Sequence, residues 1–130
     1  SLDTLARLVV VNCALGNLDL HAKNISVLHP DGELPHLAPA YDCVPMGHRG
    51  DHDGRLAMSI GGHYPWATLR RSHLLTELAS WGLRNPESLI DTTLEHLAVL
   101  LENEQPHPRA HPDMRDTIRR MTERLLSTQE

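Results

Sequence analysis

Two stretches decide this architecture: Asn17-Leu18-Asp19-Leu20-His21-Ala22-Lys23-Asn24 and, further along the chain, Leu37-Ala38-Pro39-Ala40-Tyr41-Asp42. Between them, residues 25–28 and 34–37 have the apolar composition of short strands. The intervening His29-Pro30-Asp31-Gly32 is a turn signal. We therefore predict one β-hairpin, with the first stretch at one end and Asp42 returning to the same place at the other.

The polar side chains of these two stretches are those that phosphoryl transfer requires. A carboxylate such as Asp19 can accept the proton of an attacking hydroxyl, and Asn24 with Asp42 can hold Mg²⁺ on nucleotide phosphates. Lys23 can neutralise the charge that develops. Asp19 and Asn24 also keep the D-x-x-x-x-N spacing of the protein-kinase catalytic loop. Asp19 alone could be an ordinary loop-capping residue, but the combination favours a functional site.

The rest of the chain is predicted to be mainly α. Residues 43–64 are rich in Gly, His and Asp and predict a long irregular segment, in which only 56–60 suggest extended structure. Apolar periodicity predicts four helices, over residues 2–16, 66–81, 85–102 and 112–127. We expect one domain over 1–130, with four helices and a small hairpin that carries the catalytic loop and the metal-binding Asp.

Composition and charge exclude several functional classes. The chain is 40% hydrophobic and 22% charged, which is typical of a soluble globular domain. A net charge of −5 argues against direct nucleic-acid binding. No apolar run is long enough for a membrane helix and no signal peptide opens the chain, so we expect a cytoplasmic protein without membrane contact. Cys13 and Cys43 are therefore expected to be buried thiols rather than a disulfide.

Three blocks carry a resemblance to a known family. They are Asp19-Leu20-His21-Ala22-Lys23-Asn24-Ile25-Ser26, Leu37-Ala38-Pro39-Ala40-Tyr41-Asp42 and Leu56-Ala57-Met58-Ser59-Ile60-Gly61-Gly62. Their order and spacing resemble the HipA family of bacterial serine/threonine kinases, the toxins of HipA–HipB type toxin–antitoxin pairs. The resemblance extends over nearly the whole chain, and it implies the fold of that family's C-terminal kinase lobe.

The resemblance also implies roles for individual residues. Asp19 matches the catalytic base, and Asn24 and Asp42 match the Mg²⁺ ligands. Lys23 lies where a cation could reach the γ-phosphate of ATP, and His21 matches a position at the nucleotide whose role is open. The family's activity would be Mg²⁺-ATP-dependent phosphorylation of a protein Ser/Thr, often in a translation component, with growth arrest as the result. A HipB-like helix-turn-helix antitoxin would be the partner.

The sequence departs from complete kinases in its N-terminal part. Cys43-Val44-Pro45 follows Asp42 where eukaryotic kinases have Phe-Gly. No Gly-rich loop and no strand Lys precede Asp19, and the first residue is Ser1, so we expect a piece of a longer protein or a processed chain. The ATP-clamping N-terminal lobe would lie elsewhere in that protein or in a partner chain. A non-catalytic remnant that binds a partner is the alternative, and a split-kinase subunit predicts an exposed apolar face on the first helix or the hairpin.

Three further patterns have ordinary explanations. The pairs His48/His52 and His107/His111 contain Gly50 and Pro108, so we predict solvated histidines rather than a zinc site. Gly61-Gly62 predicts a tight turn, with a phosphate-binding nest as the alternative. Arg70-Arg71 and Arg119-Arg120 predict solvated helix faces, with a partner contact as the alternative.

Overall fold

The structure is a computed structural model that describes residues 1–38 and 43–129, with the backbone alone for Asn24. Asp42, one of the predicted metal ligands, lies outside the described residues. The predicted mainly-α architecture is confirmed, and a second hairpin accompanies the expected one. The elements are helices α1 Leu2–Leu15, α2 Arg71–Ser80, α3 Pro86–Asn103 and α4 Met114–Leu126, the hairpin of β1 Val27–Leu28 with β2 His36–Leu37, and the hairpin of β3 Arg55–Ile60 with β4 His63–Pro65.

The core forms where α1, α3 and α4 pack together and α2 covers one side. Leu, Ile, Val and Ala recur at helical spacing in these segments, so each helix buries one apolar stripe. Ser1 caps the N-terminus of α1, because its Oγ accepts a hydrogen bond from the Thr4 N–H at 3.3 Å. Asn85 caps α3 in the same way. No helix in the described part of the chain is long and apolar enough to cross a membrane. The buried apolar residues include Val10, Ala14, Leu74, Leu78, Ile90, Leu94, Met121 and Leu125.

The predicted helix over 66–81 begins five residues late. Trp66–Thr68 is a 3₁₀ turn and Leu69 is extended, so α2 begins at Arg71. The Trp66 indole N–H donates to the carbonyl of Cys13 at 2.8 Å, which fixes this ring on the end of α1. The Arg70 N–H donates to His73 Nδ1 at 2.9 Å and so closes the helix start. Tertiary contacts therefore outweigh the helical spacing of Trp66 and Leu69.

The prediction of a solvated helix face is wrong for Arg71, which is buried. Its guanidinium donates to Asp91 Oδ1 at 2.6 Å and to the carbonyl of Leu125 at 3.2 Å. It thereby joins α2 to α3 and to the end of α4. A buried guanidinium requires such partners, because burial without them costs several kcal/mol.

The segment predicted to be irregular contains the second hairpin. Gly61 and Gly62 have φ of 58° and 78°, so the tight turn between β3 and β4 is confirmed. The Gly61 N–H donates to Glu77 Oε1 at 3.0 Å, which already uses a donor that a phosphate nest would need. The Ala57 N–H in β3 donates to the carbonyl of Leu18 at 3.0 Å. The second hairpin therefore supports the segment that contains Asp19.

In the described part of the chain, neither Cys13 nor Cys43 forms a disulfide, so the prediction of two thiols is confirmed. Cys13 is buried in α1, as predicted. Cys43 is exposed, and the prediction of burial is wrong for this residue because it lies in an irregular segment at the surface.

Candidate functional site

The candidate site is the loop that connects α1 to β1. Gly16 ends α1 in the left-handed conformation, with φ of 71°, and turns the chain out of the helix. Asp19 and Lys23 are exposed along the loop, and His21 is half-buried. Lys23 and the backbone of Asn24 lie in the 3₁₀ turn Ala22–Asn24. The structure thus places Asp19, His21, Lys23 and Asn24 on one short connection.

A pair of buried amides fixes the start of this loop. Asn17 Nδ2 donates to Asn12 Oδ1 at 2.7 Å, and the two side chains are 3% and 1% exposed. Asn17 Oδ1 in turn accepts the backbone N–H of Asp19 at 3.2 Å. Asn12 Nδ2 donates to the carbonyl of Leu8 at 2.8 Å. Buried amides whose hydrogen bonds are satisfied hold their geometry well. The position of the Asp19 backbone is therefore fixed relative to α1. Sequence reasoning missed Asn12, although a polar amide in an apolar helix was a usable signal.

The same helix end also holds the chain that follows Asp42. Asn12 Nδ2 lies 3.8 Å from Cys43 Sγ, and the Met46 N–H donates to the carbonyl of Gly16 at 3.1 Å. On the other side, the Ala38 N–H donates to the carbonyl of Ser26 at 2.8 Å, next to the hairpin. The described residues flanking 39–42 are therefore anchored to α1 and to the end of the candidate loop.

Glycine allows a close approach behind the loop. A Cβ on Gly47 would lie less than 3.0 Å from three atoms of the Trp66 ring. A Cβ on Gly16 would lie 2.9 Å from the Gly47 nitrogen and 2.9 Å from Trp66 Cζ2. The indole therefore packs where α1 ends and the segment after Asp42 passes, and no larger residue fits there.

The ring of His21 has hydrogen-bonding capacity to spare. Its Nδ1 is buried and has no hydrogen-bond partner in the described part of the chain. Leaving a buried polar nitrogen unpaired costs about 1–3 kcal/mol. A ligand atom that bonds to this nitrogen would recover that free energy.

A small cavity lies behind the loop, among α1, β3 and α2. Its volume is about 150 Å³, and mostly apolar side chains line it together with Asn12, Asn17 and Glu77. Small-molecule pockets usually measure about 300–1,000 Å³, so this cavity is too small for a nucleotide. Glu77 accepts the Trp81 indole N–H at 2.9 Å. A nucleotide would have to bind on the open side of the loop.

Within the described residues, no group of three or more His, Cys, Asp or Glu side chains could hold a metal ion. One histidine of each predicted pair contacts the other pair: His48 packs against His111, with 4.9 Å between ring centroids. The predicted Mg²⁺ ligands were not part of such a group, because Asn24 contributes an amide and Asp42 lies outside the described residues.

The two thiols should differ sharply in reactivity. Burial, and secondarily the charge of Glu77, raises the pKa of Cys13 to about 12, whereas Cys43 is exposed. Alkylation requires an accessible thiolate. We expect iodoacetamide at pH 8 to modify Cys43 alone in the folded chain and both thiols in denaturant, as read by peptide mass spectrometry. Rapid native modification of Cys13 would contradict the buried position.

Removal of the Asn12 side chain should loosen both anchored segments. In Asn12→Ala the buried amide of Asn17 loses its partner, which we expect to lower the free energy of unfolding by about 1–3 kcal/mol. Alkylation of Cys43 should also be faster in this variant than in the wild-type chain. Asn103→Ala is the control, because Asn103 is exposed at the end of α3. Equal urea midpoints for the two variants would refute the anchoring role.

Comparisons with known proteins place the chain among HipA-like and kinase-related sequences. The family model described as HipA-like C-terminal domain matches residues 1–125. Two relatives from Sinorhizobium fredii are named "Putative kinase Y4mE" and "Putative kinase Y4dM". The first is 31% identical over 72% of this chain and 24% of its own length, and the second is 29% identical over 86% and 28%. The chain therefore spans about a quarter of the length of these relatives.

Proposed function

This chain belongs to the HipA-like C-terminal domain family, and we propose that it supplies the catalytic and metal-binding side chains of a serine/threonine protein kinase that uses Mg²⁺-ATP. The relation to kinases rests on the two relatives. The observation that carries the proposal is the buried Asn12–Asn17 pair, which fixes the backbone of Asp19. Phosphoryl transfer depends mainly on positioning and charge stabilisation, and an anchored loop of this kind serves both.

Each predicted site residue has a role in this proposal. Asp19, exposed at the surface of the loop, orients the substrate hydroxyl and accepts its proton. Lys23 places a cation near the transferred phosphoryl group. His21 contributes a ring nitrogen, Nδ1, that has no partner in the described chain and is free to bond to a ligand atom. Asn24 and Asp42 are the proposed metal ligands.

The donor set suits the cofactors. Carboxylate and amide oxygens are the protein ligands that Mg²⁺ prefers, and the unpartnered nitrogen of His21 suits a polar nucleotide group. When bound, Mg²⁺ would neutralise charge on the nucleotide phosphates. The anchors at Ala38 and Cys43, on either side of 39–42, support a role for Asp42 together with Asp19.

The whole protein would phosphorylate a Ser/Thr of a protein substrate, such as a translation component, in the cytoplasm and so arrest growth. A HipB-like helix-turn-helix antitoxin would be its partner. An ATP-clamping lobe outside residues 1–130 would complete the nucleotide site. The substrate, the partner and the clamp are inferred from the resemblance to the HipA family. The described residues hold no candidate clamp.

A second candidate is supported by the first hairpin. Val27, Leu28 and Leu34 are 50%, 44% and 85% exposed, as the split-kinase alternative predicts. Exposed apolar side chains on one small hairpin are what a contact surface for a partner requires. The chain would then be a binding module for an antitoxin or for a separate lobe, with or without phosphoryl transfer.

Mg²⁺-ATP titration separates these candidates. Calorimetry would be run on residues 1–130, on the longer protein, and on residues 1–130 with a co-expressed neighbouring chain, each followed by an assay of γ-phosphate transfer. The kinase proposal expects weak ATP binding by 1–130 and transfer by the longer protein. Transfer only with the neighbour would indicate a split kinase. Absence of binding and transfer in all three samples would leave the binding-module function.

A further inference from the structure

A groove that none of the proposed site residues lines has several cationic side chains. It lies between α4, the turn at Trp66 and the chain around His48, and its volume is about 470 Å³. A neighbouring cavity of about 290 Å³ shares Arg124 and Ala67 with it and adds Arg70. We call the two together the arginine groove. Its polar lining side chains are His48, Thr68, Arg70, Asp113, Thr117, Arg120, Arg124 and Gln129.

Helix α4 presents three of these side chains together. Thr117, Arg120 and Arg124 are separated by three and four residues, so they lie on one helix face. Arg119, the residue before Arg120, lies outside this face and forms an ion pair with Asp116. The groove face is thus distinct from the ion-paired face of the same helix.

The guanidinium groups of the groove are not neutralised by the described residues. Arg70, Arg120 and Arg124 form no ion pair there, whereas Arg71 and Arg119 do. This concentration of positive charge occurs in a chain with a net charge of −5. Clustered like charges repel one another, and an anion bound in the groove would relieve that repulsion.

Arg124 is held in place over the groove. One of its nitrogens donates to the carbonyl of Trp66 at 3.4 Å and lies 3.3 Å from Met121 Sδ. Burial, and then the charge of Arg70, lowers the pKa of Arg124. A bound anion would offset both effects, and the fixed guanidinium would lose little freedom on binding it.

His48 adds a hydrogen-bonding ring. Its Nδ1 is buried without a partner among the described residues. Burial is the main cause that lowers the pKa of His48, ahead of the charges of His111 and Arg49, while Asp113 and Asp51 oppose it. The lowered pKa favours the neutral ring, which supplies a hydrogen bond rather than a charge.

We propose that the arginine groove binds the phosphate of a phosphoserine or phosphothreonine within a polypeptide. A phosphate carries a charge of about −1.5 to −2 and three acceptor oxygens, which matches clustered guanidinium groups better than a single carboxylate does. The groove is larger than one phosphate ion needs, so the flanking chain of a peptide fits beside Trp66 and Ala67. The proposal does not depend on the proposed kinase activity.

Fluorescence polarisation with the full chain tests the proposal. The probe is a labelled peptide with one phosphoserine among alanine and glycine residues, and the matched peptides carry serine or glutamate instead. We expect the phosphopeptide to bind about tenfold or more tightly than either, since charge-assisted hydrogen bonds account for such a ratio. Arg124→Gln and Arg120→Gln should each remove about tenfold or more of that affinity, and Asp113→Asn should strengthen binding.

Arg119→Gln is the control, because it removes the same charge from α4 outside the groove. Circular dichroism establishes that each variant is folded, and Arg120→Gln carries the test if Arg124→Gln is not. Equal binding of the serine and phosphoserine peptides would overturn the proposal. So would an equal loss in Arg119→Gln, or inorganic phosphate that competes at the peptide's own concentration, which would indicate an adventitious ion only.

Discussion

Replacing Asp19 with Asn in the longer protein is expected to lower the rate of phosphoryl transfer about 10²–10⁴-fold, the usual contribution of a general base. Asn keeps the shape of the side chain but cannot accept the proton of the substrate hydroxyl. Because Asp19 is exposed and its anchoring contact with Asn17 is made by its backbone N–H, the fold should be unchanged. The measurement is γ-phosphate transfer to a protein substrate, alongside thermal denaturation.

Asp31→Asn is the matched control, because Asp31 is an exposed aspartate in the turn of the first hairpin. It should retain full activity. Asp42→Asn should resemble Asp19→Asn if Asp42 holds the metal, and here raised Mg²⁺ concentration should restore part of the rate. Normal phosphoryl transfer by Asp19→Asn would refute the role of Asp19 as the general base.

Replacing Gly47 with Ala is expected to destabilise the fold by about 1–3 kcal/mol or more, the range of overpacked cores. The new Cβ would overlap the ring of Trp66, and that ring cannot move freely because its N–H is bonded to Cys13. The segment after Asp42 would then shift away from α1. Urea denaturation measures the loss of stability, and faster alkylation of Cys43 would report the shift.

Gly50→Ala makes the same chemical change three residues later. A Cβ on Gly50 has no atom within 4 Å, so its urea midpoint should match that of the unmodified chain. Comparable destabilisation by both substitutions would show that the overlap with Trp66 is not the cause.

Local patterns predicted much of this architecture. The turn signal at His29-Pro30-Asp31-Gly32 and the short apolar runs around it predicted the first hairpin, because a two-strand pairing depends mainly on its own turn. Apolar periodicity likewise predicted α1, α3 and α4 to within about two residues. The loop with Asp19 followed directly from Gly16, a natural helix end.

The missed features depend on contacts between distant parts of the chain. Arg71 looks solvated until Asp91 and Leu125 are brought beside it. The late start of α2 follows from the bond between Trp66 and Cys13. Asn12 is a different case, because its partners Asn17 and Leu8 are close in sequence and its polar amide in an apolar helix was a usable signal. The roles assigned to the site residues stay predictions; these residues are Asp19, His21, Lys23, Asn24 and Asp42.

The first hairpin also has a consequence for how this domain can diversify. The carbonyl of Ser26 is bonded to the N–H of Ala38, which closes the hairpin at its base. At the tip, a Cβ added to Gly32 would meet no atom within 4 Å. The hairpin between this base and its tip can become longer or shorter, or change in sequence, without displacing Asp19. The tip is therefore a place where recognition elements can be added while the contacts that hold the Asp19 backbone are kept.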